Sequence, residues 1–367
     1  MIILSWNCRG LGHTRAVPNL RELVRAHRPT VIFLYETLTH SQKIEEVKIS
    51  LGFDGAFSID REGRSGGIAA LWKYSDHYTV IGYSRNHIDL KITEPGQEDW
   101  RLTGYYGFPE QRRRREAWNL LKAVTRISQL PWCIIGDFND ILDSSEKHGE
   151  VERPIWMIQG FRETVMQCLL QDIQMKVHPF TWEKGRGNTH FVEEKLDRAL
   201  ASTAWMARFP EASVLNTVAT CSDHSPLILV NDAPKTKISR ISFRFENRWM
   251  EEEGFNEVVH DRWGLTETYS TITERLKALS NELTRWSRKH AIIDRKPIDN
   301  LKESLERMRS NSDHQSVVQV EEMKLKLNRM MIKNYMYWKQ RAKQFWLKEG
   351  DLNTKFFHSM EMHLMKQ

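Results

Sequence analysis

The sequence predicts an α/β fold of paired sheets with outer helices over residues 1–230, followed by a mainly helical region. Three observations predict it. Up to Val230, short apolar runs rich in β-branched and aromatic residues alternate with amphipathic stretches. Residues 231–237, NDAPKTK, are polar, and glycine is nearly absent thereafter. From Gly254 to Lys348 apolar residues recur near helical spacing in a background of Glu, Lys, Arg, Leu and Met.

Taken in order, MIILSWN and TVIFLYE read as strands, short apolar runs that end in polar residues. Helical patterns over Val17–His27 and Ser41–Leu51 follow them, and GGIAALW and YTVIGY continue the strands. The next block repeats the alternation: DWRLTGYYG is a strand, Glu116–Ser128 a helix with apolar Trp118, Leu121 and Ile127, and WCIIGDFN a buried strand. After PLILV the polar stretch marks a boundary, so we expect a domain over 1–230, a linker over 231–253 and a basic helical region over 254–367. Pro297 and Ser310–Ser312 are expected breaks there, compatible with a helical hairpin.

A chain of 367 residues exceeds one ordinary domain. Residues 1–230 carry 28 basic and 28 acidic side chains, so the whole net charge of +6 resides in the C-terminal third. A basic tail on a neutral body points to an anionic partner such as nucleic acid. The four cysteines are widely spaced, which argues against a disulfide framework or a zinc knuckle and fits a reducing compartment. The opening MIIL is too short for a signal peptide and no stretch of about 18 apolar residues occurs, so an intracellular protein, nuclear or cytoplasmic and without a membrane partner, is expected.

The chemistry gathers at strand ends. Asn7 closes the first strand, Glu36 follows Val-Ile-Phe-Leu-Tyr, and Asp137 and Asn139 follow Cys-Ile-Ile-Gly. Singly, such residues read as turn formers or surface acids. A carboxylate just past a buried strand, however, is costly without a cation or donors, and Glu36 suits a hard divalent metal. Asp223 and His224 point apart on an extended chain and serve different partners, which leaves Asp197 to orient the imidazole. Of Tyr105 and Tyr106, either one donates its hydroxyl to a phosphate while the other packs, or both pack. Gly66-Gly67 reads as a turn entering a strand and Trp182 as a loop residue that lines a groove or caps the core. The run Arg112–Arg115 is either a solvated helix start or a phosphate contact.

The ordered series Asn7, Glu36, Tyr106, Asp137-x-Asn139, Asp197 and Asp223-His224 resembles the endonuclease/exonuclease/phosphatase superfamily. The resemblance implies a DNase I-like four-layered α/β sandwich over residues 1–230. SWNCRGLG, FLYET, YGFPE, GDFN, FTW, KLDRAL and SDHSPL look most like the apurinic-type endonucleases of plant LINE (non-LTR) retrotransposons. FRFENRWM and FWLKEGDLNTKFFH look like the segment joining such an endonuclease to a reverse transcriptase, though no Tyr-x-Asp-Asp polymerase signature occurs.

What the resemblance implies is metal-dependent hydrolysis of DNA phosphodiesters. Asp137 and Asn139 handle the attacking water, Glu36, Asn7 and Asp223 hold Mg2+ or Mn2+, and Tyr106 with the Asp197-oriented His224 stabilises the phosphate. Arg9, Arg64, Arg112 and Trp182 are the expected DNA contacts, and the tail is a candidate for RNA as well. The repair-enzyme branch has an acid where Arg9 stands, so a single metal is expected. Competing readings are a sibling phosphodiesterase or phosphatase, a decayed transposon fragment, and a nucleic-acid-binding protein acting through its helices.

Overall fold

The computed structural model describes residues 1–63, 65–186, 190–218, 221–231, 254–264, 271–308 and 318–332. Residues 1–233 and 305–367 form one compact unit and 234–304 another. The first unit opens with β1 (Ile2–Asn7), α1 (Ala16–His27), β2 (Val31–Tyr35), α2 (Ser41–Leu51), β3 (Gly55–Glu62) and β4 (Ser65–Trp72). It continues through β5 (Tyr78–Ser84), β6 (His87–Ile92), β7 (Trp100–Tyr106), α3 (Arg114–Thr125), β8 (Trp132–Asp137), β9 (Lys147–His148) and α4 (Ile155–Gln167). The last part holds β10 (Leu170–Asp172), β11 (Met175–Lys176), β12 (Trp182–Lys184), β13 (Val192–Glu194), β14 (Asp197–Ser202), α5 (Thr203–Arg208), β15 (Ser213–Asn216) and β16 (Leu227–Val230).

Two mixed sheets, ordered β11-β15-β16-β1-β2-β4-β3 and β10-β14-β8-β7-β6-β5, lie face to face. Alternation along the strands builds three cores. Ile3, Phe33 and Tyr35 of the first sheet meet Leu90, Leu102 and Ile135 of the second in the central core. The other faces of β1, β2 and β4 present Leu4, Trp6, Ile32 and Leu71 to α1 and α2, while Ile134 and Leu200 lie under Trp118 and Leu121 of α3 and Phe161 of α4. The result is the four-layered α/β sandwich that the sequence predicts, with a helical region beyond it.

Several local expectations need correction. Ile127 lies beyond the end of α3 and is 46% exposed, because the chain leaves the helix at Arg126 to turn into β8. Gly66 and Gly67 are inside β4 rather than in a turn before it, and both have left-handed φ values (79° and 88°), which a residue with a Cβ resists. Trp182 begins β12, paired with Glu194 of β13, so it is a strand residue and not a loop residue.

In the helical region α6 covers Phe255–Gly264 and α7 covers Ile272–Met308. The break expected at Pro297 does not occur, since α7 runs through it. An interior proline costs a helix about 3 kcal/mol, which the remaining turns of a 37-residue helix offset. The break expected at Ser310–Ser312, and with it the hairpin, lies outside the described residues. No described helix is long and apolar enough to cross a membrane. Residues 318–332 are helical and belong to the same compact unit as the sandwich, where Lys324 Nζ lies 2.8 Å from Glu183 Oε1.

Candidate active site

Strand register brings the polar strand ends together. β1 and β2 are parallel with Asn7 opposite Tyr35, so Glu36 emerges next to Asn7. In the other sheet, parallel β7 and β8 set Tyr106 opposite Asp137, and antiparallel β14 sets Asp197 opposite Asp137. Parallel neighbours end at the same sheet edge, and an antiparallel neighbour begins there. His224 joins them through an isolated bridge to Trp182, three residues before β16 starts to pair with β1 at Ser5–Leu227. Gly136 permits the approach of β8, since its φ is 155° and a Cβ there would run into the Tyr105 carbonyl.

Asn7 ties the two sheets across the site. Its Nδ2 donates to Glu36 Oε1 at 2.9 Å and to Asp137 Oδ2 at 3.0 Å. Tyr106 Oη donates to the same Glu36 oxygen at 2.9 Å, while Tyr105 is turned away and donates to the Ala117 carbonyl. The Asn139 N–H donates to Asp137 Oδ1 at 2.9 Å and its Nδ2 to the Gly107 carbonyl at 3.1 Å. Arg9, Glu36 and Asn139 all hold left-handed backbone conformations, with φ values of 46°, 48° and 57°. Such strain in residues with side chains persists only where the surroundings enforce it.

His224 stands between two carboxylates, its Nδ1 2.9 Å from Asp197 Oδ2 and its Nε2 3.8 Å from Asp137 Oδ2. Burial alone pulls the imidazole down, but Asp197 and Asp137 outweigh it and raise it towards the charged form. Burial pushes the Asp137 carboxyl up, against the opposing pull of His224 and the donors Asn7 and Asn139. These three side chains bring ligand atoms within 4.8 Å of one another. Both imidazole nitrogens face carboxylates, one by a hydrogen bond to Asp197 and one by a longer charge contact to Asp137, which favours a charged imidazole over a ligating one, since a ligating histidine must be deprotonated.

The candidate cation position lies at the other end. Arg9, with 53% of its side chain exposed, hydrogen-bonds Asp223 Oδ2, and its Nε is 3.7 Å from Glu36 Oε2. Asp223 Oδ2 also accepts from the Trp182 indole N–H at 3.0 Å. Asp223 Oδ1 is buried with no hydrogen-bond partner among the described residues. Glu36 Oε2 and Asp223 Oδ2 thus share a single arginine, and with the unpartnered Asp223 Oδ1 they are hard oxygen donors of the kind that suits a divalent cation.

The arginine run divides. Arg113 pairs with Glu116 and stacks on Phe108, 3.6 Å from the ring centre. Arg114 is buried, donates to the Phe108 and Pro109 carbonyls, and faces Asp140 Oδ1 with Nε at 3.4 Å. Only Arg112 and Arg115 are exposed, so neither a wholly solvated helix start nor a uniform phosphate contact describes the run. Arg64 lies outside the described residues.

Burial pushes the Asp140 carboxyl up to about 6 despite Arg114 and the Trp118 N–H. A folded-state value above the unfolded one gives a contribution that is present below about pH 4 and lost as pH rises through about 6. The stability of wild type relative to Asp140→Asn should therefore fall by about 2–3 kcal/mol between pH 4 and 7, read by urea unfolding at each pH. A difference that does not change with pH would contradict this.

Sequence reasoning passed over two residues inside motifs it quoted. Thr181 Oγ1 accepts from the Leu196 and Asp197 N–H groups at 3.0 and 2.8 Å and so positions Asp197. Ser222 Oγ donates to the Asn7 carbonyl at 2.8 Å and accepts from the His224 N–H, linking the two halves of the site. The signal was their place next to named residues in FTW and SDHSPL.

The family model described as Endonuclease/Exonuclease/phosphatase family matches residues 4–224, which span this site from end to end. The chain belongs to that family. The family takes in nucleases and phosphatases, enzymes that hydrolyse phosphoester bonds. Among solved structures, an AP endonuclease from Archaeoglobus fulgidus is 15% identical with a TM-score of 0.50, covering 64% of this chain and 100% of its own. A 3′ phosphatase from Neisseria, bound to a product DNA hairpin, is 18% identical with a TM-score of 0.49 over 64% and 100%. The endonuclease domain of TRAS1, a telomere-specific non-LTR retrotransposon, is 15% identical with a TM-score of 0.46 over 64% and 99%. At these identities the likeness is one of fold. No curated protein matches the chain.

Proposed function

We propose that this protein is a divalent-metal-dependent endonuclease that hydrolyses DNA phosphodiesters, of the kind that nicks target DNA for a non-LTR retrotransposon. The observation that carries the reading is one end of the sandwich, where the two sheets bring together an Asp197-oriented His224, a buried Asp137, and the Glu36 and Asp223 carboxylates around a candidate cation position. Glu36, Asp223 and Asn7 would hold the ion, and a buried Asp223 oxygen without a partner, in the cleft that Glu36 also lines, fits that role. Bound Mg2+ or Mn2+ supplies Lewis-acid neutralisation of the charge that grows on the phosphate and the leaving oxygen.

The chain's own residues do the rest. Asp137, raised by burial, takes a proton from the attacking water, which Asn139 helps to hold. His224 presents Nε2–H to a phosphate oxygen while Asp197 fixes the other nitrogen, and the Tyr106 hydroxyl adds a second donor. Arg9 turns from Asp223 to the phosphate and disfavours a second divalent ion by its charge. Arg112, Arg64 and Trp182 extend the DNA contact. Residues 1–230 serve as the catalytic domain, 231–253 as a linker, and the basic residues of 254–367 add nonspecific affinity for DNA or RNA.

Full-length protein is expected to nick supercoiled plasmid with Mg2+ and to stop when the metal is chelated. Hydrolysis of small phosphoesters in place of plasmid would move the chain to a phosphatase branch of the family. A folded protein that does neither would be a decayed fragment.

A further inference from the structure

Beside the candidate active site lies a surface of which the proposed function uses only Arg112. Trp156 is the second residue of α4 and is 44% exposed, with Ile155 next to it 71% exposed. Together the two side chains form a small exposed apolar patch. The Trp156 indole is also held in place. Its ring stands edge-on to Trp118, with centroids 6.0 Å apart and planes at 69°, and the Trp118 N–H donates to buried Asp140 at 2.9 Å. Trp118 can lie there because residue 160 is glycine, where a Cβ would enter its ring.

The charge around Trp156 is positive. The Arg115 guanidinium carbon sits 5.9 Å from the Trp156 ring centre, and Arg112 lines the same depression. Among the described residues neither arginine has a carboxylate partner, unlike Arg113 and Arg114, and Glu110 is the one acid in the lining. The depression also continues from the active site. Tyr106 and Pro109 line the active-site cleft and Glu110 the depression, on a loop that Arg114 clamps through the Phe108 and Pro109 carbonyls. The six residue steps from Tyr106 to Arg112 span at most about 21 Å, or about six steps of a DNA strand at 3.4 Å each.

We propose that Trp156, with Arg112 and Arg115, is a seat for an unpaired base of the DNA strand flanking the scissile phosphate. The indole stacks the base and the two arginines take its phosphates. A rigid, exposed aromatic flanked by unpaired cations is the chemistry of single-strand recognition, because every base has a π face and every linkage an anion. The seat would favour targets that are open or distorted next to the nick. The inference rests on the nuclease reading for its substrate, but its test does not.

The test measures binding of full-length protein to fluorescein-labelled single-stranded and fully paired oligonucleotides, without metal, alongside plasmid nicking with Mg2+. Trp156→Ala should weaken single-strand binding roughly 5- to 100-fold, more than it weakens duplex binding, and Trp156→Phe should retain most of the affinity. Arg112→Ala/Arg115→Ala should lower the slope of log K against log salt for the single strand by about 0.7 per contact. Single-strand affinity unchanged in both Trp156→Ala and the double arginine variant would overturn the proposal and leave the patch to a protein partner. So would wild-type protein that does not bind the single strand. Absence of nicking with Trp156-dependent binding intact would sink the nuclease reading and leave this one standing.

Discussion

Glu36→Gln is expected to lower Mg2+-dependent plasmid nicking by about 10^2- to 10^4-fold, the loss of several kcal/mol of transition-state stabilisation. The glutamine oxygen can still accept from Asn7 Nδ2 and Tyr106 Oη, the two bonds now made to Oε1, so the local fold should survive. What disappears is the negative charge on the second oxygen, which faces Arg9 at 3.7 Å and would face the metal. An amide there is a poorer ligand for a hard cation and turns N–H donors towards it. Nicking assays across a magnesium series, with a thermal melt of each protein, separate the loss from misfolding. Equal nicking by wild type and a folded Glu36→Gln variant would remove Glu36 from the metal site.

The second large effect concerns the Asp197–His224 pair. His224→Ala removes the donor proposed to meet the phosphate and should cost about 10^2- to 10^4-fold in nicking rate. Asp197→Asn should cost a similar amount, because an amide cannot hold the imidazole in its charged, oriented state as the carboxylate does at 2.9 Å. Since Asp197 acts through His224, the double variant should be little slower than His224→Ala alone. Multiplicative losses would mean that the two residues work independently. His224 is buried against Asp137 and Asp197, so His224→Ala should also lower the melting temperature, and rates are best compared well below it.

Much of the fold and the order of the candidate residues were legible in the sequence. Runs such as VIFLY and WCIIGD are apolar because both faces of their strands are covered, and that pattern is local. The same holds for the ordered polar residues at the strand ends, which carry the family likeness without reference to their positions in space.

Other features depend on partners far along the chain, and no local pattern encodes them. The arginines of residues 112–115 look alike in sequence, yet Arg114 is buried against Asp140 while Arg112 remains exposed, because α3 packs against the loop after β8. Trp182 reads as a loop residue from its surroundings. Its pairing with β13 and its indole bond to Asp223, 41 residues on, make it part of the site wall. Pro297 shows the converse, a strong local breaker overridden within a long helix.

By itself, then, the sequence determined the layered α/β class, the family and which strand ends bear reactive side chains, since periodicity and residue order are properties of the chain alone. Only the tertiary structure decided that Asn7 reaches Asp137 across 130 positions, that Arg9 stands between Glu36 and Asp223, and that one Asp223 oxygen is left buried without a partner. Strand register and the facing of two sheets set those distances, and both arise from burial summed over the whole core.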